Sequence, residues 1–244
     1  MSTRRVSAPR WSVVIPAFNE ARRLPRYLAE IVTYFDGCNE PYEVLVADDG
    51  STDGTAEAVA ATVRGHPAVR VLRDERNEGK GAAVRRGMLA ARGEYRLFAD
   101  ADGATPILEL KRLEAALRAG AHIAIGSRGL ADPSVSVVAS PHRVLAGRTF
   151  SWIVRRLGLP RVIDSQCGFK AFTAPAAADL FGRLRTSGFG FDVELLLLAQ
   201  AAGYRVMEVA VNWTDQPGSK VRVLGNGPGM LMQVATARLR MGWR

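Results

Sequence analysis

Short apolar runs alternate with helical stretches along the first half of this chain of 244 residues. The apolar runs, which we predict as strands, are residues 11–15, 42–47, 69–72, 95–99 and 121–125. The helical stretches between them are residues 20–35, 55–64, 81–91 and 106–119. Such alternation predicts an α/β fold, a mostly parallel sheet with helices on both faces.

The pattern changes after about residue 126. Residues 135–159 have a helical period and are rich in arginine, and a further helix (191–202) and strand (204–211) follow. The last predicted helix, 230–243, mixes apolar residues with arginines. That mixture suits a helix at a membrane interface. Packing against its own domain is an equally open interpretation of so short a segment.

Composition excludes several classes of protein. The chain is 48% hydrophobic, but no run reaches the roughly 20 apolar residues of a membrane-spanning helix. Residues 1–10 are basic without an apolar stretch, so we predict no secretory signal. Cys38 and Cys167 are too few for a disulfide framework, which fits a reducing cytosol.

The net charge is +9, and arginine carries it because only four residues are lysines. Nucleic acid, an anionic membrane surface and phosphorylated small molecules are the three partners that this excess would suit. A solvated surface explains any single arginine equally well. With 7% aromatic residues there are few rings to interleave with the arginines, so we predict no nucleic-acid partner.

Polar residues follow three of the predicted strands, at 16–20, 48–55 and 100–105. Parallel sheets bind ligands at the carboxyl ends of their strands. Asp100 and Asp102 are two carboxylates in one short loop, which suits a hard divalent cation held together with a diphosphate. A solvated turn is the alternative, and the position at a strand end favours the cation site.

Two further motifs suit a nucleotide. Asp48 and Asp49 open a glycine-containing turn, where carboxylates accept hydrogen bonds from a uracil or ribose; turn and cap chemistry is the competing interpretation. Lys80 lies between two glycines at a predicted helix start, an arrangement that suits a phosphate. The spacing is not that of a Walker loop. The three histidines lack metal-ligand spacing, which disfavours a zinc hydrolase.

In this order the motifs closely resemble the family-two glycosyltransferases with a GT-A fold. The resemblance runs from Val13 to about Lys220 and narrows at DADGAT (100–105), GSR (126–128), DSQCGFK (164–170), FDVEL (191–195), VNWT (211–214) and GSK (218–220). That combination resembles the polyprenyl-phosphate sugar synthases, and most of all the dolichyl-phosphate β-glucosyltransferase branch. That branch usually begins with a membrane helix, which this chain lacks.

The resemblance implies transfer of a hexose from a nucleotide donor, UDP-glucose, to a polyprenyl phosphate. Residues implied to hold the nucleotide are Pro16, Phe18, Glu20, Asp48, Asp49, Lys80, Asp100 and Ala101. Asp100 and Asp102 would carry Mg²⁺ or Mn²⁺, with Asp102 counted as catalytic. Phosphates would be engaged by Arg128, Arg143 and Lys220, with Arg128 also counted as catalytic. Asp164 would act as a base or orient the sugar together with Gln166.

The same resemblance implies one domain, 1–244. Residues 1–125 would form the nucleotide-binding half, 126–220 the acceptor and catalytic half, and 221–244 a C-terminal amphipathic helix at the membrane. We predict a cytoplasmic protein, peripheral at the inner face of the cell membrane. The oligomeric state is left open.

The reaction itself favours metal over base. A phosphate monoester has a second pKa near 6, so at pH 7 it is already a dianionic nucleophile. The leaving diphosphate needs its charge neutralised. Three alternatives stay open: GDP-mannose as donor, a soluble sugar or glycan acceptor that would require a true base, and a binding module without catalysis.

Overall fold

The structure, a computed structural model, describes residues 8–159, 161–216 and 223–241, without the side chains of 142, 143, 146 and 223–228. Its strands are β1 (Trp11–Ala17), β2 (Tyr42–Asp48), β3 (Val69–Arg73), β4 (Tyr95–Ala99), β5 (Ile123–Ser127), β6 (Val137–Val138), β7 (Phe169–Thr173), β8 (Val206–Ala210) and β9 (Trp213–Thr214). Seven of them form one sheet in the order β3-β2-β1-β4-β7-β5-β8. Only β7 runs antiparallel to its neighbours, so the prediction of a mostly parallel sheet is confirmed.

The helices are α1 (Leu24–Asp36), α2 (Thr55–Val63), α3 (Lys80–Ala90), α4 (Leu110–Arg118), α5 (Pro141–Arg156), α6 (Ala174–Arg183), α7 (Phe191–Ala201) and α8 (Val223–Met241). Two predicted starts were too early. Helix α1 begins at Leu24 with Pro25 in its first turn, and α5 begins at Pro141, both positions where the fixed φ of proline favours a helix start. Residues 137–138, predicted as helix, form β6 beside β9.

The sequence analysis missed β7 and α6. Strand β7 contains Lys170, whose side chain is fully buried, in a five-residue run that looks too polar for a central strand. The strand is possible because Asp192 of α7 pairs with that lysine inside the protein. A buried ion pair of this kind joins distant parts of the chain, which explains why local hydrophobicity did not reveal the strand.

The sheet separates two apolar layers. Residues alternate along β1, so that Val13 and Ile15 pack with α1 and α4 on one face, and Val14 packs with α3 on the other. Helices α6 and α7 share the second face with α3. Helices on both faces were predicted and are confirmed. Of the described helices, none is both long and apolar enough to cross a membrane.

The topology brings the motifs to one edge. Strands β1, β2, β4 and β5 are oriented in the same direction, so their carboxyl ends meet there. Strand β7 begins at this edge because it runs the opposite way. The residues before β7, 164–168, therefore lie beside the loop that follows β4.

Candidate active site

A cavity of about 410 Å³ opens at the carboxyl edge of the sheet. Eight residues named from the sequence line it: Pro16, Phe18, Glu20, Asp49, Lys80, Asp100, Ala101 and Asp102. They come from the ends of β1, β2 and β4 and from the first turn of α3. The structure thus brings most of the predicted donor residues into one site.

The two aspartates after β2 have different surroundings. Asp49 lines the cavity, and its carboxylate oxygens accept the backbone N–H groups of Glu78 and Gly79, each at 2.9 Å. It therefore ties the β2 turn to the start of α3. Asp48 is fully buried, is not among the residues that line the cavity, and accepts the N–H of Ser51 at 3.0 Å. Its predicted contact with the nucleotide stays a prediction.

Arg23 also lines the cavity and was not named from the sequence. Its Nε and one Nη donate to the two oxygens of Glu20, at 2.8 and 2.6 Å. Burial alone would lower the pKa of Arg23, but Glu20 and then Asp102 raise it above its ordinary value. Arg23 adds a cation near the acidic pair, and the signal that could have revealed it is its position three residues after Glu20.

Lys80 lies at the N-terminus of α3, with its Nζ 2.6 Å from Oδ1 of Asp100. The ammonium also lies over the rings of Phe98 and Phe189, 5.4 and 5.8 Å from their centroids. Burial alone would lower the pKa of Lys80, and the charge of Asp100 together with that of Asp192 raises it. The lysine is therefore a permanent cation on the cavity wall.

The loop 186–190 forms the wall opposite the acidic pair. The carbonyl of Ser187 accepts the N–H of Ala82 in α3 at 3.2 Å, and Phe189 lines the cavity. On its outer side the N–H of Gly190 donates to Oε1 of Gln233 in α8 at 2.9 Å. This loop, unrecognised in the sequence, connects the donor cavity to the C-terminal helix.

A second cluster lies beyond Asp100, around Arg128 and Asp164. Arg128 donates from Nε and one Nη to the two oxygens of Asp164, at 2.7 and 2.8 Å, and its backbone N–H adds a third bond at 3.0 Å. The N–H of Gln166 donates to Oδ1 of the same carboxylate at 3.1 Å. Burial alone would raise the pKa of Asp164, but Arg128 lowers it below the ordinary value.

The guanidinium of Arg128 is only partly covered. Its side chain is 31% exposed, and its Cζ lies 5.4 Å from the ring centroid of Trp213. Within the described part of the chain, the items of its hydrogen bonding all run to Asp164 through the backbone N–H, Nε and one Nη. The second Nη is thus available for an anionic ligand. Lys220 and the side chain of Arg143, predicted to join this cluster, lie outside the described residues.

The comparisons with known proteins agree with this geometry. The profile of glycosyl transferase family 2 matches residues 12–176. The chain is 42% identical over 223 residues to a dolichyl-phosphate beta-glucosyltransferase of Drosophila melanogaster, across 86% of this chain and 68% of that protein. A relative of the same name in Dictyostelium discoideum is 36% identical over 241 residues, across 94% and 74% of the two chains.

The chain belongs to glycosyl transferase family 2. Its fold is similar to that of glucosyl-3-phosphoglycerate synthase from Mycobacterium tuberculosis in complex with Mn²⁺ and UDP-glucose, with a TM-score of 0.70, 22% identity and coverage of 94% of this chain and 79% of that one. A complex of that synthase with phosphoglyceric acid gives a TM-score of 0.71 at 20% identity. At this identity the likeness concerns the fold alone, and it confirms the GT-A-like α/β fold.

The acidic pair of this family 2 protein suits a divalent cation. Burial and the charge of Asp100 raise the pKa of Asp102, so the two carboxylates destabilise each other's charge. Among the described residues no three acidic, histidine or cysteine side chains gather into a complete metal site. Two carboxylates that need further oxygen ligands fit Mg²⁺ or Mn²⁺ shared with a diphosphate. The residues present therefore fit the predicted metal.

The segment before β7 supports Asp100 from below. The N–H of Asp100 donates to the carbonyl of Gly168 at 2.9 Å, and a Cβ at Gly168 would collide with the Asp100 carboxylate. Lys170 holds this segment, donating to the carbonyl of Cys167 at 2.6 Å and pairing with Asp192 at 2.5 Å. The buried ion pair of this glycosyl transferase therefore lies directly beneath its acidic loop.

Proposed function

We propose that this family 2 enzyme transfers glucose from UDP-glucose to a polyprenyl phosphate of the dolichyl type, with inversion, to give polyprenyl-phosphate β-glucose. The named activity of its relatives in Drosophila melanogaster and Dictyostelium discoideum supports the acceptor and the sugar. A cavity lined by Lys80, Asp100 and Asp102 supports a diphosphate donor.

The observation that carries the proposal is the engagement of Asp164 by Arg128. Both oxygens of this carboxylate accept hydrogen bonds, and its pKa is lowered, which makes it a weak base. A sugar hydroxyl as acceptor requires a base to remove its proton. A phosphate dianion requires none, and it is attracted by the exposed guanidinium of Arg128. The arrangement therefore favours a phosphate acceptor over a soluble sugar.

The reaction then follows from charge. An oxygen of the acceptor phosphate attacks the anomeric carbon of glucose from the face opposite the leaving group, and the bond from that carbon to the UDP oxygen breaks with its electron pair. Lys80 and Arg23 hold the donor diphosphate and stabilise the negative charge that develops on it. A cation held by Asp100 and Asp102 supplies further neutralisation of that charge when it is bound.

Asp164 has a positioning role in this proposal. It holds Arg128 so that the guanidinium faces the acceptor phosphate, and Gln166 lies beside it to contact the sugar. Asp49 keeps the start of α3, with Lys80, against the β2 turn. Water is kept from the donor diphosphate by the aromatic wall that Phe18 and Phe189 contribute.

The test is transfer of radiolabel from UDP-glucose to a short polyprenyl phosphate, with Mg²⁺ or Mn²⁺, followed by extraction into organic solvent. We expect label in the organic phase, lost on addition of EDTA. Label from GDP-mannose but not from UDP-glucose would overturn the choice of sugar. Label found only in water-soluble glycans would overturn the lipid acceptor, and donor binding without any transfer would favour a binding module.

We also propose that α5 and α8 rest on an anionic membrane at its cytoplasmic face. Large apolar side chains on both helices are exposed: Leu145 by 69%, Trp152 by 59%, Met232 by 73% and Leu239 by 67%. Exposed arginines accompany them at 148, 155, 156 and 240. Apolar side chains that enter the interface, next to cations that attract anionic lipid headgroups, are typical of interfacial helices. The free thiols of Cys38 and Cys167 suit the reducing side of the membrane.

A further inference from the structure

We infer that Glu208 is a positioning residue for Arg128, and through it for the acceptor phosphate. This inference rests on the proposed function. Glu208 lies in β8, opposite Ile125 of β5. Its carboxylate accepts two consecutive backbone N–H groups, that of Ile163 at Oε2 and that of Asp164 at Oε1, both at 2.8 Å.

The two hydrogen bonds hold a stretch of chain that has no strand of its own. Asp164 lies between the end of α5 and the start of β7, outside regular secondary structure. Without a ladder, the backbone of such a segment depends on side chains for its hydrogen bonds and its position. Glu208 therefore determines where the backbone of Asp164 lies relative to β5.

The position of Asp164 in turn determines that of Arg128. The carboxylate of Asp164 binds Arg128 through three hydrogen bonds, from the backbone N–H, Nε and one Nη. A second contact acts in the same direction, because Ile163 packs so closely on Gly129 that a Cβ there would lie 2.7 Å from Cγ2 of the isoleucine. The clamp on 163–164 thus holds both Arg128 and the residue that follows it.

Only a carboxylate can make this clamp in full. Two adjacent N–H donors need two acceptor oxygens, whereas a glutamine offers one oxygen and turns an NH₂ group toward the other donor. Glu208→Gln keeps the size and shape of the side chain and removes one of the two acceptors. We expect the acceptor KM to rise roughly tenfold, the change that a lost hydrogen bond with an unsatisfied donor produces.

A purely structural role for Glu208 would give a different result. If the residue only fastened β8 to its neighbours, Glu208→Gln would lower the melting temperature and the active fraction while both KM values stayed unchanged. A positioning role raises the KM of polyprenyl phosphate and leaves the affinity for UDP, measured without acceptor, as in the wild type. The two KM values therefore distinguish the roles.

Glu194 of α7 provides a matched control. Its carboxylate also accepts two consecutive N–H groups, those of Arg185 and Thr186, at 3.3 and 2.7 Å. Glu194→Gln removes an equivalent clamp next to α3, away from Arg128. Its acceptor KM is expected to stay within about twofold of the wild type, since no hydrogen bond to the 163–164 segment is lost.

The experiment is a steady-state assay of the wild type and both variants, with UDP-glucose and a short polyprenyl phosphate varied in turn. Glu208→Asp, whose shorter side chain keeps the charge, provides the same comparison if Glu208→Gln does not fold. An unchanged acceptor KM in an active Glu208 variant, or an equal rise in Glu194→Gln, would overturn the inference alone. Absence of transfer by the wild type would overturn the proposed function and the inference with it.

Discussion

At the scale of single residues, the structure separates carboxylates that sequence reasoning had treated alike. Asp102 has a raised pKa in an acidic pair at the cavity, whereas Asp164 has a lowered pKa in a pair with Arg128. Asp49 and Glu208 instead accept backbone N–H groups and hold loops. Their different partners give these four acids different functions, and each function has its own test.

The first prediction concerns the acidic pair and the base. Asp102→Ala should lower transfer by about 1000-fold or more, because charge neutralisation at the leaving diphosphate is worth several kcal/mol. Asp164→Asn should keep measurable turnover, with kcat/KM for the acceptor reduced roughly tenfold to hundredfold through the weakened pair. Initial rates with saturating UDP-glucose check both. Complete loss in a folded, UDP-binding Asp164→Asn protein would instead indicate a general base.

The second prediction concerns pH. Because folding lowers the pKa of Asp164, the stability from its pair with Arg128 is present above the ordinary value of about 4 and is lost only as the pH falls through the lowered value. Asp164 therefore keeps its charge between pH 5.5 and 8, as an approximate working range set by that ordinary value.

The acceptor phosphate is the group that changes charge in this range, with a second pKa near 6. We expect kcat/KM to fall as the pH drops below about 6, in the wild type and in Asp164→Asn alike. A pH profile of both proteins checks this. If the acid limb disappears in Asp164→Asn, the carboxylate and not the phosphate is the titrating group.

At the scale of elements, β7 and the loop 186–190 decide how the cavity is built. Strand β7 delivers Gly168 beneath Asp100, and it depends on the pair of Lys170 with Asp192. Burial raises the pKa of Asp192, while Lys170 opposes that rise. The loop lies between α3 and α8, in contact with both.

The third prediction tests the ion pair in β7. Lys170→Met should lower the free energy of unfolding by about 3–5 kcal/mol, because it leaves the Asp192 carboxylate buried without its partner. Adding Asp192→Ala should recover part of that loss, since no charge then remains unpaired. Urea denaturation of the single and double variants measures both values. Equal or additive losses would show that the pair is not coupled.

The fourth prediction tests the contact of α8 with the donor wall. Gln233→Ala removes the acceptor for the N–H of Gly190 and should weaken UDP-glucose binding several-fold, by the roughly 1 kcal/mol of a lost hydrogen bond. The neighbouring exposed Met232 makes Met232→Ala a matched control on the same helix. Calorimetric titration with UDP compares the two variants. A wild-type affinity in Gln233→Ala would exclude this contribution from α8.

At the scale of the whole molecule, one sheet edge carries the chemistry, and α5 and α8 carry the exposed apolar side chains. Helix α8 packs on α7 and α5, with Val234 buried and Met232 exposed. A lipid acceptor must reach Arg128 from a membrane, and these helices provide the apolar and cationic surface for that approach.

The fifth prediction concerns this surface. Binding to liposomes should increase with the fraction of anionic lipid and decrease with salt, because each arginine near an anionic surface contributes about 1 kcal/mol and is screened by ions. Trp152→Ser should weaken binding at every salt concentration. Sedimentation with liposomes of defined composition measures both effects. Binding that is insensitive to salt, or absent, would contradict the electrostatic proposal.

Local sequence predicted the strands and helices of the first half because their apolar periodicity is regular, and it predicted the donor loops because strand ends meet at one edge of a parallel sheet. Eight of the residues named in advance line one cavity for that reason. Arg23 and Glu208 escaped notice because charged residues on a helix start or an edge strand look like solvent-exposed positions.

By itself, then, the sequence determined the α/β class, the mostly parallel sheet, the family and the acidic and glycine-rich loops, all of which depend on neighbours in the chain. Tertiary structure alone decided the insertion of β7 between β4 and β5, the burial of Lys170 against Asp192, and the clamp of Glu208 on Asp164. Each of these is a contact between groups 22 or 44 residues apart in the chain. The free energy of a buried charge or N–H depends on partners that only the folded chain supplies, and no local pattern encodes them.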